Sequence, residues 1–102
     1  MAKKKEIAEG VKYDAGKPRW GLLPFREVGE VVEILTFGAQ KYADDNWKKV
    51  APKERYIDAA FRHFTSWVQG EKKDKESGKS HLAHAVCCLL FLMWFDNEEE
   101  KK

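Results

Sequence analysis

The chain has 102 residues and a mass of 11.8 kDa, enough for one domain and too little for a second module. Its 43% hydrophobic content, with 4 Trp, 3 Tyr and 6 Phe, supplies a core and excludes disorder of the whole chain. Nineteen basic against 17 acidic side chains leave a net charge of +2, too balanced for a protein that binds nucleic acid stably or coats an acidic membrane.

In chain order, residues 1–10 read as a charged tail ahead of a single domain over residues 11–96. Residues 1–20 hold six basic and three acidic groups, so charge suited to phosphate is concentrated there. Met1 and Ala2 lead into three lysines with no apolar stretch behind them, which argues against a secretory signal. Glycines and Pro18 without helical periodicity predict an extended arm up to Leu23. Val28, Val31, Val32, Leu35, Ala39 and Tyr42 then recur at helical spacing, predicting a first helix from Pro24 to Tyr42. Residues 43–53 read as a connection. A second helix is expected over Glu54–Gln69, where Arg55, Asp58, Arg62, Thr65 and Gln69 form one polar stripe on an otherwise apolar surface. Gly70 stops it, and Glu71–Lys79 reads as a charged loop. Ser80 caps a third helix to Asp96 that is apolar nearly all round and therefore central, and residues 97–102 read as a solvated charged tail.

The apolar run Ala85–Phe95 is 11 residues, about half a membrane span, so no membrane association is expected. Cys87 and Cys88 are adjacent and cannot staple the fold, which points to a reducing cytoplasm. No segment alternates with a strand's period. The expected class is all-α: a bundle of three main helices with an N-terminal arm. Two of those helices are apolar on more than one face, so a homo-oligomer, dimer or tetramer, is expected to complete the bundle.

Four groups of residues carry potential chemistry. Glu27, Glu30 and Glu33 lie at every third position of the first helix, and at 100° per residue Glu30 points between Ile34 and Phe37, within an apolar patch. A carboxylate there is costly unless paired or bound to metal, while the alternative is a solvated stripe matched to Arg26 and Lys41. His81, His84 and Cys88 form one line on the third helix and can converge on an ion or phosphate. His63 can join them, in a zinc set or as a core histidine. Glu71, Asp74 and Glu76 offer oxygen ligands of the magnesium type, interleaved with lysines that suit an ordinary surface equally well. In the arm, Lys12, Asp14, Lys17 and Arg19 flanked by Tyr13 and Trp20 suit a nucleotide, with charges for phosphates and rings for a base.

Together, Lys12–Arg19 (KYDAGKPR), Leu22–Pro24 (LLP), Leu35–Tyr42 (LTFGAQKY), Asn46–Trp47, Arg62–His63, Gly70–Glu71, Glu76–Gly78 (ESG) and His81–Ala85 (HLAHA) resemble the phage-associated dATP/dGTP diphosphohydrolase family across residues 11–95. That family in turn resembles the MazG-like all-α nucleoside triphosphate pyrophosphatases, which hold magnesium with Glu-x-x-Glu on one helix and Glu-x-x-Asp on another. The resemblance implies metal-dependent hydrolysis of dATP and dGTP to monophosphate and pyrophosphate, in the cytoplasm of a phage-infected cell. On that reading Glu30, Glu33 and His84 are catalytic, and Mg2+ or Mn2+ is held among Glu30, Glu33, Asp74, Glu76, His81 and His84. A purine nucleotide is bound by Lys12, Asp14, Lys17, Arg19, Trp20, Trp47, His63 and His81. His81-Leu-Ala-His84 stands where Glu-x-x-Asp is expected, and magnesium binds imidazole poorly. The alternative is therefore a module that sequesters a nucleotide or nucleotide-derived signal without cleaving it.

Overall fold

The structure is a computed structural model, described here for residues 9–101; the tail through Ala8 and the final Lys102 lie outside the described residues. Among the described residues every regular element is helical: α1 (Phe25–Lys41), α2 (Glu54–Val68) and α3 (His81–Glu100), with single 3-10 turns at Trp20–Leu22 and Asn46–Lys49.

Helix α1 starts where Pro24 stands at the N-cap and accepts the Val28 N–H through its carbonyl. It ends as the Tyr42 N–H closes on the Gly38 carbonyl. Its buried stripe is rotated from the valine face: Val31 and Ile34 are buried, while Val32 is exposed. Helix α2 ends at Gly70, whose φ of +103° lets the chain reverse at low steric cost. The Ser80 hydroxyl accepts the Ala83 N–H at 3.2 Å and starts α3, as its sequence position predicts.

At its far end α3 runs to Glu100, four residues beyond the expected Asp96. Glutamate is a good helix former, and although negative charge opposes the dipole at a C-terminus, Lys53 pairs with Glu99 and Lys101 with Glu98. The supposed tail is thus mostly helix.

Lys53 at the start of α2 meets Glu99 at the end of α3, and His63 meets His81 at α3's start, so α2 and α3 pack antiparallel. Helix α1 lies across α3, where Val31, Ile34, Ala83 and Cys87 make the core with Leu35 and Phe91 packed against it. The core is thin, with no side chain below 2% exposure among the described residues. The radius of gyration, 19.8 Å, far exceeds the roughly 13 Å of a compact domain of about 100 residues.

Helix α3 is central in touching both other helices, as its all-round apolar character predicts, yet within the single chain it is not fully covered. Leu82, Val86, Leu89 and Met93 form an exposed stripe on it, and Ile57, Phe61, Phe64 and Val68 repeat the same spacing on α2.

Candidate functional site

The loop joining α2 to α3 is built rather than merely charged. Asp74 N–H donates to the Lys79 carbonyl and Gly78 N–H to the Asp74 carbonyl, both at 2.8 Å, while His81 N–H donates to the Lys72 carbonyl at 2.9 Å. Gly78 takes a φ of +72°, the left-handed conformation that the turn requires. This knot holds the Asp74 and Ser77 side chains against the first turn of α3.

Three imidazoles from two helices meet there. His81 is buried; its Nε2–H donates to Glu71 Oε1 at 2.7 Å, and its Nδ1 faces Nδ1 of His63 at 2.9 Å. His63 stacks on His84, with ring centroids 4.5 Å apart and planes 7° from parallel. The Ser77 hydroxyl, which accepts the Lys79 N–H at 3.1 Å, contacts His84 Nε2 at 2.7 Å. Ser77 N–H also donates to Asp74 Oδ2 at 2.9 Å. One donor atom each from His63, Asp74 and His81 lie within 4.8 Å of one another.

Burial, reinforced by the neighbouring His84 and His81, pushes the His63 imidazole down to about 4, so it is neutral at pH 7. Burial also lowers His84, against the pull of Asp74. For Asp74 burial opposes ionisation, but hydrogen bonds from Ser77 and the nearby imidazoles outweigh it and hold the carboxyl below its ordinary value.

A cleft of about 1190 Å³ opens beside this cluster, between α1, the Asn46–Lys49 turn, α2 and α3, with His84 in its wall. Lys41, Arg55 and Arg62 line it together with Tyr42, Trp47 and Tyr56, and so do Asp44, Asp45 and Asp58. Arg55, Asp58 and Arg62 belong to the polar stripe of α2, which therefore faces the cleft, while Ile57, Phe61, Phe64 and Val68 face out. A polar stripe on an otherwise apolar helix was the available signal, but periodicity does not say which face turns toward the cleft. Lys41 also pairs with Glu76.

The other expected residues lie elsewhere. Glu30 is exposed, not set in an apolar patch, because the buried stripe of α1 centres between Val31 and Ile34 and leaves Glu30 at its edge. Glu33 is exposed and pairs with Lys79 at 3.2 Å. Neither lines the cleft, and neither do Lys12, Asp14, Lys17, Arg19 or Trp20, all exposed along the arm. Trp47 does line it, but one ring face stacks on Phe91 at 4.3 Å and an edge meets Trp94, so that face is closed to a base. Cys88 stands in the cleft wall, outside the His63, Asp74 and His81 group; burial raises its thiol to about 11 and that of Cys87 to about 12, leaving both protonated.

The convergent donors, two imidazoles and one carboxylate, do not fit magnesium, which takes oxygen ligands. Asp44, Asp45 and Asp58 do offer the carboxylate oxygens that an ion carried by a polyphosphate accepts.

An all-helical domain with an imidazole and carboxylate knot beside a cleft lined by cations and aromatics is the class of protein that fold and site define. Over residues 8–102 the chain matches the family described as dATP/dGTP diphosphohydrolase, N-terminal, and it belongs to that family. It is 38% identical over 88 residues to a dATP/dGTP diphosphohydrolase of Salmonella phage PMBT28, a match covering 86% of this chain and 30% of the relative. The chain thus spans about a third of that protein's length. No solved structure matches it, and among the described residues no helix is long and apolar enough to cross a membrane.

Proposed function

We propose that the chain binds a purine deoxynucleoside triphosphate in the cleft beside His84 and hydrolyses it to monophosphate and pyrophosphate, in the cytoplasm of a phage-infected host. The observation that supports this reading is the joint lining of one cleft by Lys41, Arg55, Arg62 and aromatic rings, in a member of a family described as acting on dATP and dGTP. Arg55 and Arg62 neutralise the polyphosphate, with forked donors suited to phosphate oxygens. Tyr42, exposed at the rim, offers its ring to the base. The magnesium or manganese ion that accompanies the triphosphate supplies charge neutralisation when bound, and Asp44, Asp45 and Asp58 offer it individual carboxylate oxygens from the cleft wall.

The test incubates the chain with dATP and dGTP plus magnesium or manganese and separates products by ion exchange. Monophosphate and pyrophosphate in equal amounts are expected, and Arg62→Ala should weaken nucleotide binding on the order of tenfold or more. The second reading, sequestration without cleavage, is favoured by Glu30 and Glu33 lying outside the cleft; intact nucleotide recovered after heat denaturation would select it.

The same reading includes self-association, as dimer or tetramer, through the stripes on α2 and α3. Light scattering should give a multiple of 11.8 kDa, and Phe61→Glu with Leu89→Glu should return the monomer.

A further inference from the structure

We infer that His63, His81 and Asp74 form a binding site for a zinc-class divalent transition ion, distinct from any ion carried by the nucleotide. Three features support it. The donors are imidazole-rich, the set preferred by zinc, cobalt and nickel over magnesium or manganese. They come from α2, the loop and α3, and their donor atoms already lie within 4.8 Å of one another.

The surroundings are the second feature. Glu71 accepts the Nε2–H of His81 at 2.7 Å, which fixes the tautomer and turns the other ring nitrogen, with its lone pair, toward His63. A carboxylate behind a histidine whose far nitrogen points at two further donors is the arrangement that raises the basicity of a metal ligand. The third feature is the pinning of the other two donors. His84 stacks on the His63 ring, and Ser77 N–H holds one Asp74 oxygen and leaves the other available.

In the apo form the proton on His63 Nδ1 bridges to His81 Nδ1. An ion entering between them takes its place, and His63 keeps a proton on Nε2 instead. Ligands at zinc's usual bond lengths stand about 3.3 Å apart in a tetrahedron, so the 2.9 Å between the two nitrogens opens by a few tenths of an ångström while Asp74 closes in. Three protein donors leave a fourth position to water, unlike the closed four-ligand sites of structural zinc.

The inference does not depend on the nucleotide reading and is tested without nucleotide. Untagged chain is dialysed against zinc, cobalt, manganese or magnesium and then against metal-free buffer, and metal is counted by plasma mass spectrometry. About one equivalent of zinc or cobalt per chain is expected, the cobalt form showing the visible absorption of a low-coordinate site. His63→Gln and Asp74→Asn, which keep shape and hydrogen-bonding capacity, should lose the ion, and Glu71→Gln should weaken its affinity about 10–100-fold. Retention by the wild type of no ion, or of manganese or magnesium only, overturns the inference. So does equal retention by the His63 and Asp74 variants when circular dichroism shows them folded. A metal count that fails while dATP still binds leaves the cleft assignment standing; the converse result does the reverse.

Discussion

The two ends of the α2–α3 hairpin are fastened by opposite chemistry. At one end Trp47 stacks on Phe91, and Tyr56, Trp94 and Phe95 close round them edge-on or tilted, so the fastening is chiefly ring contact, with a hydrogen bond from the Tyr56 hydroxyl to the Trp47 carbonyl at 3.0 Å and the solvent-facing Lys53–Glu99 ion pair beside it. At the other end directional bonds join His63 to His81, His81 to Glu71 and His84 to Ser77, whose backbone N–H holds Asp74, so the fastening is made largely of titratable groups. Burial of rings is insensitive to pH and to ions, whereas the imidazole end responds to both. A domain with so thin a core therefore has one fixed and one adjustable end.

Four variants or conditions separate the ends. The largest effect is expected for Phe91→Ala, which removes the ring shared by Trp47 and Tyr56: about 3 kcal/mol of stability by urea unfolding, the same at pH 7.5 and pH 5. Equal loss at the two pH values is what marks that end as apolar. Next comes His81→Ala, which leaves the half-buried Glu71 carboxylate and His63 without their shared partner and should cost about 2 kcal/mol in the same measurement.

Acidification acts chiefly on the imidazole end, since the Lys53–Glu99 pair at the other end is solvent-facing and contributes little. Unfolded, the His63 side chain takes its proton near pH 6.5, while folded it resists until about pH 4. Protons therefore favour the unfolded chain between those values: stability present above pH 6.5 declines as pH falls toward 4, with no further loss from this group below. His63 is half exposed, which reduces the effect to on the order of 1 kcal/mol. Thermal melts of wild type and His63→Gln across that range should converge in acid. The smallest effect is expected for Ser77→Ala, about 1 kcal/mol, since it removes the hydroxyl between Lys79 N–H and His84 and leaves the Asp74 bond to backbone in place.

Legibility in the sequence follows the range of the interaction that decides each feature. Pro24 and Ser80 act within a turn of where they stand, so the starts of α1 and α3 are readable from them. Gly70 likewise marks the end of α2. The polar stripe of α2 is readable as a stripe, but its direction toward the cleft depends on how α2 and α1 each dock on α3. Glu30 is misplaced by the same kind of error: a helical wheel gives its angle to Ile34 and not which of the two faces the core. His63, Asp74 and His81 are visible as ligand types, yet only the reversal at Gly70 and the loop's own hydrogen bonds bring them together. Trp47 reads as loop because nothing near it in sequence announces Phe91. The glutamates after Asp96 are ambivalent between tail and helix, and a lysine from the start of α2 decides for helix.

Cys87 and Cys88 give the molecule two internal clocks. Both line the cleft, but the Cys87 Sγ–H also donates to the Val31 carbonyl at 3.6 Å and so is held beneath α1, whereas Cys88 lies near Arg62. Both thiols are buried and protonated, so a disulfide reagent reacts only during moments of opening. Labelling of Cys88 times the parting of the cleft, and labelling of Cys87 requires in addition that its contact with Val31 on α1 be released. A nucleotide seated in the cleft should slow the first clock more than the second, so chain neighbours one residue apart report two different motions.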